Sequence, residues 1–324
     1  MKINLGAGPN WKHDGWHVLD HKVEKNDKLR IKGNLNNINL KDKSCDVVFI
    51  SLPNKFAADA TKLALKKGLH VFCEKPPSRS LKELRPVIKL AKNSTLKIKY
   101  GFNHRYHASI VKAFKIINSK RLGNIVAMRG LYGKSKIISF DQSDWRSKRS
   151  EAGGGILLDQ GIHMLDLMLF FANERFNKIS SIIKNNYWRH DVEDNAFVLM
   201  ESPSGVVAQI HSSATQWRHA FNLEIICEKG ALVLGGLLTG SKSYGDETLT
   251  VMESNPDIDK GFPQEVTYKF KEDISWDAEI REFFSAVKNK TDIIHGTIDE
   301  AMTTMKLIEQ IYLSDKKWAK KYYN

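Results

Sequence analysis

Cysteine is scarce, with only Cys45, Cys73 and Cys227 in 324 residues. Their odd number, their wide spacing and the absence of any Cys-x-x-Cys pair exclude a disulfide framework and a zinc site. A reducing cytoplasm fits, and no metal is expected. A long uninterrupted apolar run is also missing. The longest, 155–172, is broken by Asp159, His163 and Asp166, which a membrane span tolerates only at high cost. The opening MKINLGAG reads as a strand and lacks the charged-then-apolar order of a secretory signal. No membrane segment is expected. Runs of Lys and Arg interleaved with aromatics are absent too, which argues against a nucleic-acid groove despite the formal charge of +13. That charge sits at one end: residues 1–100 carry 21 Lys+Arg against 9 Asp+Glu, and the rest carry 29 against 28. Scattered lysines such as Lys22, Lys25, Lys28 and Lys32 describe a solvated surface with a bias towards anionic small molecules, dinucleotides or nucleotide sugars among them.

With 42% hydrophobic and 27% charged residues, the chain has the composition of a folded globular protein, and its length suits two domains. Ile3–Leu5, Trp16–Leu19 and Asp46–Leu52 read as buried parallel strands. A helical period over Ala57–Lys67 is closed by Gly68, and the strand His70–Cys73 follows, making a βαβ unit. Ser80 caps a helix over Leu81–Ala91, and Leu96–Phe102 is the next strand. Residues 1–102 are therefore expected to form a Rossmann-like α/β domain with a shortened first βαβ. Beyond it lie a helix over Ile110–Asn118, a strand over Ile125–Tyr132 and a helix over Gly155–Ala172. The strands Asn195–Met200, Gly205–Ser213, Asn222–Glu228, Leu249–Glu253 and Glu265–Phe270 come next, then helices over Ala278–Lys288 and Asp299–Ser314. Consecutive strands without helices between them predict an open-faced antiparallel sheet with helices on one face, an α+β domain over 103–324.

Chemistry concentrates in a few places. Gly6 and Gly8 follow the first strand and Asp20 ends the second, the pattern in which backbone N–H groups approach a phosphate and a carboxylate binds ribose hydroxyls. A third glycine is missing, and only twelve residues separate Gly8 from Asp20, where about twenty normally hold a full helix. A tight turn between core strands accounts for the same residues. The turn Ser51, Pro53, Asn54 and the segment Glu74-Lys75-Pro76-Pro77 lie at the carboxyl ends of predicted strands, the edge at which α/β sheets bind ligands. Lysine there can polarise a substrate hydroxyl, although a surface turn has the same composition. Asp159 and His163 are four apart and share a face of an apolar helix, with Asp166 one turn on. Such a pair is either structural or a proton-transfer unit. Trp145 and Arg146 offer an aromatic face and a guanidinium to a sugar or phosphate. His211, Gln216 and Trp217, at a strand end, are weaker candidates.

From Asp46 onward the chain resembles the Gfo/Idh/MocA oxidoreductases. The residues that carry the likeness are the strand Asp46–Pro53, Gly68-Leu-His-Val-Phe-Cys-Glu-Lys-Pro76, Gly101-Phe-Asn-His-Arg105, and Gly153-Gly-Gly through Asp159 and His163. The resemblance implies a nicotinamide cofactor and reversible hydride transfer at a hydroxyl of a sugar, cyclitol or nucleotide sugar. By position it makes Lys75 the substrate-orienting lysine, His163 the general acid/base and Asp159 its partner. The residues expected at the cofactor are Gly6, Gly8, Asp20, Ser51, Pro53, Asn54, Glu74 and Lys75, and those expected with the substrate are Arg105, Trp145 and Arg146 beside Lys75, Asp159 and His163. NAD is expected over NADP because Asp20 repels a 2′-phosphate. The first 45 residues depart from this pattern and look like the opening of a short class I methyltransferase. Two other readings follow from that departure: a catalytically impaired family scaffold that binds ligand or oligomerises, and a methyltransferase. Exposed sheet faces commonly pair, so a homo-oligomer, dimer or tetramer, is expected.

Overall fold

Apolar runs too short for helices build the first sheet. Val47–Ile50 and Val71–Cys73 are apolar and buried at every position, as strands covered on both faces must be. The computed structural model describes residues 2–5, 16–20 and 30–32 as backbone, together with 46–135, 144–239, 242–255 and 259–323. In chain order the first elements are β1 (Lys2–Leu5), β2 (Trp16–Asp20), β3 (Arg30–Lys32), β4 (Val47–Ile50), α1 (Asn54–Lys66), β5 (His70–Glu74), α2 (Leu81–Lys92) and β6 (Ile98–Gly101). Next come α3 (Ala108–Asn118), β7 (Ile125–Ser135), α4 (Arg149–Ala152), α5 (Ile162–Ala172), β8 (Lys178–Lys184), β9 (Asn195–Glu201) and β10 (Val207–Gln216). The last are β11 (Ala220–Cys227), β12 (Gly230–Gly235), β13 (Glu247–Glu253), β14 (Gln264–Phe270), α6 (Ser275–Asn289), α7 (Ile298–Ser314) and α8 (Lys316–Tyr322).

Two compact units result. One comprises 1–102, 150–153 and 280–302, and the other 103–149, 154–279 and 303–324. One break falls between Phe102 and Asn103, and two later segments, 150–153 and 280–302, group with the first unit.

In the first unit all six strands run parallel in the order β3-β2-β1-β4-β5-β6. The order reverses between β1 and β4, the switch point outside which such sheets bind ligands. The sheet has its full strand count, since β3, which has no clear apolar pattern, pairs with β2. The shortened connection itself, residues 6–15, lies outside the described residues. Strand alternation places Phe49 and Phe72 on one face, where their rings stack with centroids 4.4 Å apart and Phe283 of α6 meets Phe72 edge-on at 5.6 Å. Cys73, on the other face, is bonded by Thr61 of α1. Helix α1 ends where Gly68 takes φ +76°, a left-handed C-terminal stop. Ser80 Oγ accepts the Glu83 N–H at 3.4 Å and so opens α2.

The second unit is built on eight strands in the order β14-β13-β12-β11-β7-β10-β9-β8. Every pair is antiparallel except β7 with β10, which is parallel because the chain crosses over through α5 between them. Helices α3 and α5 cover one face. Along β9, Ala196, Val198 and Met200 are buried while Phe197 and Leu199 are exposed, so the other face is open. The apolar segment read as a continuous helix from Gly155 is interior, with Ile162–Met168 buried throughout. Its first part differs from expectation: 157–161 forms a π-turn before regular α-helix begins at Ile162. The wider turn changes the phase between Asp159 and His163 without separating residues four apart onto opposite faces.

Replacing Phe72 with Ala should lower unfolding free energy by about 3–5 kcal/mol, because it empties the centre of the Phe49–Phe283 stack. Denaturant unfolding monitored by circular dichroism would measure it, and a loss below about 1 kcal/mol would mean that the stack collapses onto the gap.

Candidate active site

In the second unit a buried polar cluster forms where the short 3₁₀ turn Asn103–Tyr106, strand β7 and helix α5 meet. The His163 ring lies flat against that of His104, with centroids 3.7 Å apart and planes within 11°. His104 is fixed at both nitrogens: Nδ1 is 3.0 Å from Asn103 Oδ1, and Nε2 is 2.9 Å from the Tyr132 hydroxyl. Burial holds the Tyr132 phenol well above its ordinary pKa. The phenol therefore keeps its proton, and because Asn103 Oδ1 can only accept, His104 Nδ1 carries the hydrogen in that pair. Asn103 is in turn anchored by Nδ2 on Ser275 Oγ at 3.2 Å.

Asp159, half-buried in the π-turn, is gripped by the Lys134 ammonium at 2.9 Å and accepts from Gln160 Nε2 at 3.2 Å. Arg146 Nε lies 3.9 Å from its other oxygen, and the Arg146 guanidinium rests 4.3 Å over the Trp145 ring. Near this carboxylate, burial and the charge of Asp159 both raise the Tyr244 phenol pKa. Burial first, and then Lys134, lower that of His219. Trp145, Arg146, Lys134, Tyr244 and His219 thus surround Asp159 with one aromatic face, two cations and several hydrogen-bonding groups. Ring faces and charged hydrogen-bond partners together suit a polyhydroxylated ring.

Arg105, expected beside the substrate, lies in the interior of the second unit. It is 4% exposed, and both its Nε and Nη2 donate to Asp166 at 2.7 Å in a buried bidentate pair beneath the Phe170 ring. A planar fork that matches one carboxylate so fully is held for support. Asp166 accordingly serves Arg105. His211, another candidate, stacks on Phe197 at 4.0 Å on the open sheet face, Gln216 lies against Gly133, and Trp217 is 73% exposed.

In the first unit the relevant groups lie at the carboxyl ends of β4 and β5. Ser51 and Pro53 form the partly buried link to α1, and Asn54 is its first, buried residue, with Nδ2 donating to Ala152 O at 2.8 Å. Glu74 ends β5, and Lys75, half-buried, follows it in a cis peptide with Pro76. Burial pushes the Glu74 carboxyl up to about 7, partly offset by the Lys75 charge. Its Oε1 is enclosed and meets no hydrogen-bond donor among the described residues. Gly101 allows this enclosure, because a Cβ there would sit 2.9 Å from Glu74 Oε2. An orphaned acceptor at the carboxyl edge of a sheet in this strand order fits a ligand carrying hydroxyl or amide donors, as a dinucleotide does. Gly6 and Gly8 lie outside the described residues, and Asp20 is described as the last residue of β2, paired with Lys32 of β3.

Residues 23–102 match the oxidoreductase family with an NAD-binding Rossmann fold, and residues 110–233 match the GFO/IDH/MocA C-terminal domain. The first match begins upstream of Asp46, where the sequence motifs start. The chain is 28% identical over 220 residues to 1,5-anhydro-D-fructose reductase of Ensifer adhaerens, covering 67% of this chain and 65% of that one. It is 29% identical over 145 residues to levoglucosan dehydrogenase of Pseudarthrobacter phenanthrenivorans, covering 44% of this chain and 36% of that one. It therefore spans less than two thirds of the length of either relative. In fold it is similar to a levoglucosan dehydrogenase in complex with NADH and levoglucosan, with TM-score 0.79, 18% identity, and 98% and 97% of the two chains covered.

The Glu74 carboxyl, ordinarily near 4.5, holds its proton up to about pH 7 in the folded protein. Between those values the folded state binds the extra proton, so stability is greatest at the acid end of the window and falls as pH rises through it. Denaturant unfolding from pH 4.5 to 7.5 should show this slope in the wild type and a shallower one in Glu74→Gln. Parallel slopes would mean that Glu74 is ionised in the fold.

Proposed function

The chain carries both domains of the Gfo/Idh/MocA oxidoreductases, and on that premise we propose that it is an NAD-dependent oxidoreductase acting on a hydroxyl of a sugar, cyclitol or nucleotide sugar. The observation that carries the reading is the position of Lys75, directly beyond the carboxyl end of β5 and beside the enclosed Glu74 acceptor, in a sheet of dinucleotide-binding order. Bound nicotinamide dinucleotide supplies the hydride acceptor for oxidation and the donor for reduction. Ser51, Pro53, Asn54 and Glu74 would hold the cofactor, and the sequence pattern of Gly6, Gly8 and Asp20 would serve its phosphates and ribose hydroxyls.

Lys75 donates a hydrogen bond to the oxygen of the reacting hydroxyl and orients it. His163 takes the hydroxyl proton as the carbon gives up its hydride and the carbonyl forms, and returns the proton when the reaction runs backwards. Asp159, whose charge is held in place by Lys134, orients the substrate and supports the imidazolium of His163. Trp145 and Arg146 flank the ring. The relatives carry the names of sugar reductases and dehydrogenases, and no observation favours the non-catalytic scaffold. Ile182, Phe197, Leu199 and Val207, exposed on the open sheet face, support a homo-oligomer formed through that face.

Lys75→Met and His163→Ala should each lower turnover by roughly two to four powers of ten while leaving cofactor affinity nearly unchanged. Steady-state rates on a panel of sugars and cyclitols, with NADH titrated by fluorescence, would measure both. Undiminished turnover in either variant removes that residue from the chemistry. NADH should bind more tightly than NADPH, because Asp20 repels the 2′-phosphate. The reverse order in the same titration overturns the cofactor preference.

A further inference from the structure

The helix that carries the proposed acid/base does not hold its own beginning. The first N–H groups of a helix have no acceptor within it, and here three consecutive ones go to a single distant residue. Glu193 Oε2 accepts from Gly155 N–H at 2.8 Å and Oε1 from Leu157 N–H at 3.0 Å. Its backbone oxygen accepts from Ile156 N–H at 3.1 Å. Glycine makes this approach possible, because a Cβ on Gly155 would collide with the Glu193 main chain and one on Gly154 with the Tyr312 hydroxyl.

Glu193 itself is fully buried, and burial works against its charge. The captured backbone N–H groups oppose that, as do two side chains. The Tyr312 hydroxyl donates to Oε1 at 2.7 Å, and the Arg149 charge favours the carboxylate. Arg149 is in turn enclosed by aromatic rings from the C-terminal helices: Tyr322 at 4.4 Å, Tyr323 at 5.2 Å, Tyr312 at 5.7 Å and Trp318 at 5.9 Å. Leu157, one of the three captured residues, opens the π-turn that presents Asp159, and α5 with His163 follows without a break.

We infer that Glu193 is a positioning residue for Asp159 and His163, itself held in place by the Tyr312 hydroxyl. Through it, the α7–α8 end of the chain sets where the π-turn begins. This rests on the acid/base role proposed above for His163. The inference turns on acceptor count. A carboxylate offers lone pairs at both ends, whereas the isosteric amide of glutamine must turn an NH2 group towards one of the captured N–H donors. Glu193→Gln should therefore keep the fold and shift the start of the turn.

Displacing reacting groups by about 1 Å costs roughly a hundredfold in rate. The kcat of Glu193→Gln should accordingly fall by about 10- to 100-fold, with the KM for NADH within about twofold and a larger solvent isotope effect, as proton transfer becomes limiting. Tyr312→Phe, which removes one hydroxyl, should lower kcat about threefold to tenfold. Both variants should move the ¹³Cε1 resonance of His163, assigned by its absence in His163→Ala. That signal reads the geometry directly, whatever His163 does in turnover. If His163→Ala stays active, the acid/base role fails, while the resonance still decides the positioning role. A His163 resonance that coincides with the wild-type signal in folded Glu193→Gln overturns the inference, as does an unchanged kcat. Should Glu193→Gln not fold, Tyr312→Phe decides by the same two readouts.

Discussion

A buried polar group must be matched by a partner, and in the second unit that requirement organises everything around α5. The helix is almost wholly interior, yet it and the turn before it bear Asp159, His163 and Asp166. The two carboxylates each draw in a residue from another element, Lys134 from β7 to Asp159 and Arg105 from the 3₁₀ turn to Asp166, while the His163 ring is covered by that of His104, itself tied to Tyr132. The unmatched N–H groups at the start draw in Glu193. Leaving any of these unpaired in an apolar interior would cost on the order of 1–3 kcal/mol or more. The polar groups therefore fix which strands and turns meet the helix, and the site's geometry is a by-product of keeping the core satisfied.

The first unit solves a different problem. Its central strands β4 and β5 are apolar and buried between their ends, so their polar groups lie at the strand ends. Glu74 is the one that matters. Its Oε1 is enclosed and its carboxyl is pushed up to about 7, although Glu74 as a residue is half-buried, like its neighbour Lys75. A carboxyl poised there changes charge near neutrality, unlike the thiol of Cys73 one residue earlier, which burial pushes up to about 12 and so keeps unreactive. Adjacent positions on one strand thus receive opposite tasks from burial alone.

The parallel pairing of β7 with β10 connects sheet and site. A purely antiparallel sheet could be closed by hairpins. The crossover needs a covering helix instead, and α5 fills that place, with Gly161 so close to Ser212 of β10 that a Cβ would collide. The chemistry-bearing helix is therefore part of the sheet's own connectivity.

The strands Asp46–Leu52 and His70–Cys73, the helix starts at Ser80 and the stop at Gly68 were legible in the sequence because local pattern and capping decide them. The segment containing Asp159 and His163 was legible for the same reason, as polar residues in an apolar run. The π-turn was not, since it depends on contacts at Gly155 and Gly161 with residues far along the chain. Nor were the roles of Arg105, His104 and Glu193. Their partners lie 61, 28 and, for Tyr312, 119 residues away. A motif shows that Arg105 and Asp166 are present, but only the packed interior, where each charge must find its nearest opposite, decides that they hold each other.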